Sequence, residues 1–156
     1  MHSEILSGLW ISSHKSLHNK RFVYDKNISF IINLTNTDID DKYMNVANGP
    51  KIDILNIPID DSYNIKYNNI YLLDNMTDIL SKINTKLVNH NILISCYSGF
   101  HASVTIACCY LLKYGNVNLE YAYNSIISKN TKLTDIKNYY MYCINNFIIL
   151  LKKNNV

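Results

Sequence analysis

The sequence predicts an α/β domain: a central, mainly parallel sheet of about four or five strands, flanked by helices on both faces. Short runs rich in β-branched residues alternate with segments whose apolar residues recur at helical spacing. The second half of the chain is nearly all helical in pattern. No internal repeat or long linker interrupts the 156 residues, so 1–156 reads as one domain, long enough to bury a core.

The elements follow in order. Glu4 to Ile11 places apolar residues around Gly8 and predicts a short strand or hairpin. Ile28 to Leu34 is a buried-strand pattern. Ile52 to Ile59 alternates until Pro58, where a strand should yield to a loop at Pro58-Ile59-Asp60-Asp61. From Tyr67 to Leu87, the residues Ile70, Leu73, Met76, Ile79, Leu80 and Ile83 mark one face of a helix. Ile92 to Ile94 predicts a central strand buried on both faces. Val104 to Leu112 is nearly all apolar and predicts a helix surrounded by protein. Another helical pattern starts at Asn118-Leu119-Glu120, and a last one, capped by Thr134 or Asp135, runs to Leu151.

Composition excludes several classes. The net charge of +3 comes with scattered lysines, which describes solvated surface and not a nucleic-acid face. No run approaches the length of a membrane span, and no leading apolar segment resembles a signal peptide. Cys96, Cys108, Cys109 and Cys143 form no CxxC pair, so a reducing, cytoplasmic setting is expected, with no metal and no cofactor. The chain has 23 Asn, 23 Ile and a single arginine, Arg21, a skew that an AT-rich genome produces. Poxviruses and other large DNA viruses fit such a genome, as do some protists, and for a viral protein the host-cell cytoplasm is the expected location.

The chemistry concentrates at Ser95-Cys96-Tyr97-Ser98-Gly99-Phe100-His101-Ala102-Ser103. A strand delivers Cys96 to a turn, Gly99 permits tight backbone geometry, and Ser103 opens a helix. Attack of a thiolate on a phosphate ester needs a sulfur ionised near neutral pH, which a helix N-terminus and inward amides promote. Loop amides must cradle the phosphate oxygens, a guanidinium should grip two of them, and an acid must protonate the leaving group. Asp60 or Asp61 would reach the same mouth as the acid. The guanidinium has no counterpart in the loop. On spacing alone, Cys96 also reads as a buried apolar residue, and Asp60-Asp61 as a solvated turn.

These residues resemble the cysteine-dependent dual-specificity protein phosphatases, including the small poxviral ones. Their signature is His-Cys, five residues, Arg, then Ser or Thr, with glycine third among the five. The resemblance places Cys96 on the nucleophile, Gly99 on the loop glycine and Ser103 on the hydroxyl that assists the departing thiolate. It places Ser95 on the histidine and Ala102 on the arginine. Glu4 to Ser13 resembles the family's opening strand motif, Ile28 to Thr35 its first core strand, and Ile57 to Asp61 its general-acid loop, with Asp61 as the acid. Val104 to Leu112 and Ala122 to Ile126 resemble the helices after the loop, so the likeness spans nearly the whole chain.

The resemblance implies a phosphatase fold with Cys96 at the base of a shallow cleft and a weakened phosphate grip. The expected function is a pseudophosphatase that binds a protein partner, phosphorylated or not, through a mouth ringed by Tyr97, Phe100 and His101. Two alternatives stand beside it. One is a divergent phosphatase acting on phosphotyrosine, phosphoserine/threonine or a non-protein phosphate through Cys96 and Asp61. The other is a structural domain, a homodimer among the options, whose loop is vestigial.

Overall fold

A computed structural model of the chain describes residues 1–40, 44, 47, 49–60, 64–130, 132 and 139–154. Asp61, Thr134 and Asp135 lie outside these residues. The described elements are β1 (His2–Leu6), β2 (Leu9–Ser13), α1 (His14–Leu17), α2 (Lys20–Asp25), β3 (Ile28–Leu34) and β4 (Asp53–Asn56). They continue with α3 (Ile65–Lys86), β5 (Asn91–Cys96), α4 (Ala102–Tyr114), α5 (Leu119–Lys129) and α6 (Met141–Asn154). The strands form one five-stranded sheet in the order β1-β2-β5-β3-β4. The β1–β2 pair is antiparallel and the others are parallel, as expected.

Gly8 turns the β1–β2 hairpin with φ +81°, a conformation that side chains disfavour. Strand β5 is central because Ile92, Leu93 and Ile94 have no exposed surface and supply apolar atoms to both faces. Ile92, Ile94 and Cys96 join the larger core, while Leu93 joins a second core with Leu17, Phe22 and Val23 of α1 and α2. The sheet therefore has helices on both faces. The short helices α1 and α2 have no counterpart in the expected elements, since four and six residues are too few to display a helical period.

Helix α3 starts at Ile65 and buries Leu72, Met76, Ile79, Leu80 and Ile83. Ile70, expected on that face, is 40% exposed instead, and Leu72 takes its place. The reason lies in the first turns, where Asn69 is the inward residue. Its side-chain amide donates to the Tyr139 carbonyl at 2.8 Å, and its Oδ1 accepts from Cys143 N–H at 3.0 Å. Asn69 thus caps the start of α6 from another helix, satisfying an amide that helix geometry leaves unpaired. The strand expected over Ile52 to Ile59 is shorter, β4 being confined to Asp53–Asn56 at the sheet edge. Among the described residues, no helix is long and apolar enough to cross a membrane.

Candidate active-site loop

Strand β5 ends at Cys96 and α4 begins at Ala102, so residues 97–101 form a short loop at the carboxyl edge of the parallel strands. Ligand sites of open α/β sheets gather at this edge. The loop curls around the sulfur. Gly99 N–H donates to Cys96 Sγ at 3.2 Å, and Ser103 Oγ lies 3.2 Å from the same atom. Ser98 Oγ stands 3.9 Å from Sγ and accepts from Phe100 N–H at 3.0 Å. One amide and two hydroxyls therefore surround the thiol, a set that favours a negative sulfur or an anion beside it.

Gly99 is required twice over. Its φ is +78°, and a Cβ there would sit 2.6 Å from Ser13 N and 2.8 Å from Ser12 C, both backbone atoms of β2. The loop closes directly onto the neighbouring strand, with no room for a side chain.

The expected shallow cleft is not open at the thiol. Cys96 has no exposed surface and belongs to the main core. Its loop contacts account for the cover: Gly99, Ser98 and Ser103 fold over the sulfur. Tyr97 does not fill the loop; it is 44% exposed. Phe100 is half-buried and packs against the main core. His101, also half-buried, sets its ring against that of Tyr139, tilted by 33° with centroids 4.0 Å apart, and places Nδ1 3.2 Å from Ser98 Oγ. Its side chain is thus engaged with a loop hydroxyl and a ring from the α6 side.

Ala102 and Ser95 stand at the positions that the resemblance matches to the signature's arginine and histidine. Ala102 is the first residue of α4, wholly buried, and brings a methyl where the resemblance calls for a guanidinium. Arg21 pairs with Asp25 on its own helix at 3.4 Å, its side chain 89% exposed. Ser95 is likewise wholly buried, between Ser12 of β2 and Asn33 of β3 in register. Among the described residues, its hydroxyl, like that of Ser12, has no hydrogen-bond partner. Asn33, by contrast, donates to Asn56 Oδ1 and to the Thr37 carbonyl, both at 2.8 Å.

Asp61 lies outside the described residues, so its approach to the thiol is not part of this geometry. Asp60 is described, and its carboxylate accepts from Asn36 Nδ2 at 3.2 Å. The same Asn36 accepts from the Tyr97 hydroxyl at 3.1 Å. Asn36 therefore joins the loop after β3, the acidic loop after β4 and the cysteine loop. Sequence reasoning missed it, because three loops remote in sequence meet only in the fold.

The remaining thiols are placed differently. Burial pushes Cys108 and Cys143 up to about 12 and raises Cys109 well above its ordinary value, with Cys143 and Cys108 adding to the shift at Cys109. Such thiols stay protonated and act as small core residues.

This arrangement agrees with what the chain is similar to. The family model for the dual specificity phosphatase catalytic domain matches residues 9–145. Human dual specificity protein phosphatase 16 is 26% identical over 132 residues, covering 85% of this chain. The chain spans 18% of the length of that relative. Among solved structures, a leucine rich repeat and phosphatase domain containing protein from Entamoeba histolytica superimposes with a TM-score of 0.76. It shares 19% identity, with 99% of this chain and 95% of that one covered. Human DUSP28 superimposes with a TM-score of 0.77 at 12% identity, covering 97% and 99% of the two chains. At these identities the superpositions speak for the fold alone. The family match extends over most of the sequence, and the chain belongs to the dual specificity phosphatase catalytic-domain family.

Proposed function

We propose that this domain is a pseudophosphatase: a protein-binding or regulatory module that keeps the family's cradle without its catalytic power. The observation that carries the reading is Ala102, a buried methyl at the signature's arginine position. Losing one preorganised donor from an anion-stabilising site costs about 3 kcal/mol. Losing a bidentate cation costs at least as much, because the phosphate in the ground state loses its grip too. The missing histidine at Ser95 acts in the same direction. Tyr97, exposed beside the thiol, with Phe100, His101 and Tyr139, offers an aromatic rim suited to a protein contact. The partner, phosphorylated or not, would be held by this rim, with loop amides adding weak affinity for a phosphate. A viral origin and action in host-cell cytoplasm belong to this proposal and rest on the AT-rich composition.

A second reading has one specific observation in its favour. The sulfur still receives the Gly99 amide and the Ser103 hydroxyl, the surroundings a nucleophilic thiol needs. A divergent phosphatase would use Cys96 with Asp61 and draw its cation from elsewhere. Turnover of a small aryl phosphate, measured beside Cys96→Ser, separates the two. The pseudophosphatase reading expects both proteins at the same background. Turnover by the wild type that Cys96→Ser abolishes would replace it with the enzyme reading.

A further inference from the structure

Helix α1 carries two histidines one turn apart, at the rim of the cradle and outside the loop. His14 opens the helix and His18, its C-cap, keeps helical angles, so the two rings share one face. Their Nε2 atoms are 3.3 Å apart. Two nitrogens bound at 2.0–2.1 Å to one tetrahedral ion lie about 3.3–3.4 Å apart. The pair is therefore already at the bite distance of a tetrahedral metal. Both rings line a cavity of about 250 Å³ shared with Thr37, Asp38 and Asp40. Asp38 and Asp40, both exposed, bring carboxylates to the same cavity.

From this geometry we infer a divalent transition-metal site in which His14 Nε2 and His18 Nε2 chelate one Zn²⁺, Ni²⁺ or Cu²⁺ ion. Imidazole pairs suit these metals. Among the described residues, no cluster of three or more His, Cys, Asp or Glu side chains is able to hold a metal, so the described protein ligands are these two imidazoles. Metal binding requires unprotonated imidazoles. Among the described residues, the buried Nδ1 of His14 has no hydrogen-bond partner. The His14 ring is 5.7 Å from that of Tyr97, so the bound ion adds positive charge near the mouth of a loop that lacks its arginine.

The test titrates the full chain, untagged and stripped with a chelator, with Zn²⁺ and separately with Ni²⁺ by calorimetry. One ion per chain is expected. His18→Ala, which removes an exposed ring, should weaken binding by about 10- to 100-fold or more, the range that even supporting residues of metal sites command. His90→Ala, whose ring instead meets Ser29, should leave it unchanged. Nickel should broaden the amide resonances of α1 and Tyr97 in the wild type and spare them in His18→Ala. Absence of saturable binding in the wild type, equal affinity in His18→Ala, or broadening centred elsewhere would each overturn the site. Circular dichroism of His18→Ala confirms that the comparison is between folded proteins.

Discussion

Asn36 stands between Tyr97 and Asp60, accepting a hydrogen bond from the first at 3.1 Å and donating one to the second at 3.2 Å. The residue after the candidate nucleophile is thereby tied to the loop that would bring the acid. Each bond is solvent-accessible, so each contributes about 1 kcal/mol or less to stability. Its effect on order is larger than on stability, because three loops lose a shared partner at once. Asn36→Ala should leave the thermal midpoint within a few degrees while amide exchange accelerates at residues 97–101. Unchanged exchange there would show that Asn36 is incidental to the mouth.

Gly99→Ala tests the cradle from its backbone. The substituted methyl would meet Ser13 N at 2.6 Å, and a non-glycine residue would be held at φ +78°. Strained backbone conformations cost about 1–3 kcal/mol, and a clash with backbone cannot be relieved by a rotamer change. The loop should pull away from β2, giving a stability loss of at least about 1 kcal/mol in urea titration. A neutral substitution would mean that the loop does not close onto Ser12 and Ser13.

Ser95→Ala should behave in the opposite way. The Ser95 hydroxyl is wholly buried and unpaired, and an unsatisfied buried polar group costs about 1–3 kcal/mol. Replacing it with a methyl of nearly the same size removes that cost, so the variant should be as stable as the wild type or more so. Urea midpoints compare the two directly. A clear loss of stability would reveal a hydrogen bond, through water, at the position the signature gives to histidine.

The sequence alone made the sheet and the loop legible, and local chemistry is the reason. Ile28 to Leu34 and Ile92 to Ile94 are β-branched runs whose burial leaves little choice of state, and both are strands. Cys96, Gly99 and Ser103 lie within eight residues, so the turn that gathers them is nearly fixed by the glycine. What was not legible depends on contacts between distant segments. Asn36 meets Tyr97 across 61 positions and Asn69 meets Cys143 across 74. Asn is common in this chain, and no pattern distinguishes those two from solvated ones. The His14–His18 pair was hidden for another reason: its helix is four residues long and shows no period.

Thiol labelling distinguishes the loop cysteine from the others. Cys108 and Cys143, pushed up to about 12 by burial, and Cys109, raised well above its ordinary value, have almost no thiolate at neutral pH. Iodoacetamide at pH 7 should leave all three unmodified in the folded protein and label them in denaturant. Native modification of Cys143 or Cys109 at a rate comparable to a free thiol would show that α4 and α6 open readily, against the packing described here.

Placing arginine and histidine at the signature positions is the sharpest probe of the pseudophosphatase proposal. Ala102 has no exposed surface, so an arginine there must find space inside the loop before it can grip a phosphate. Among the described residues the hydroxyls of Ser95 and Ser12 have no hydrogen-bond partner, so neither is committed to holding such a group. A misplacement of about 1 Å can cost about 100-fold in rate. Ala102→Arg alone should therefore gain little turnover on an aryl phosphate. In Ser95→His with Ala102→Arg, the imidazole would enter beside Ser12 and Asn33, where an unused hydroxyl offers it a partner. That double variant should exceed both single ones by more than the product of their separate gains, the mark of residues that act together. High turnover from Ala102→Arg by itself would show that the shell around the cradle is intact and that the arginine was the whole deficit. Equal, background rates in all three would place the defect beyond the signature, in the closure of the loop over the Cys96 thiol.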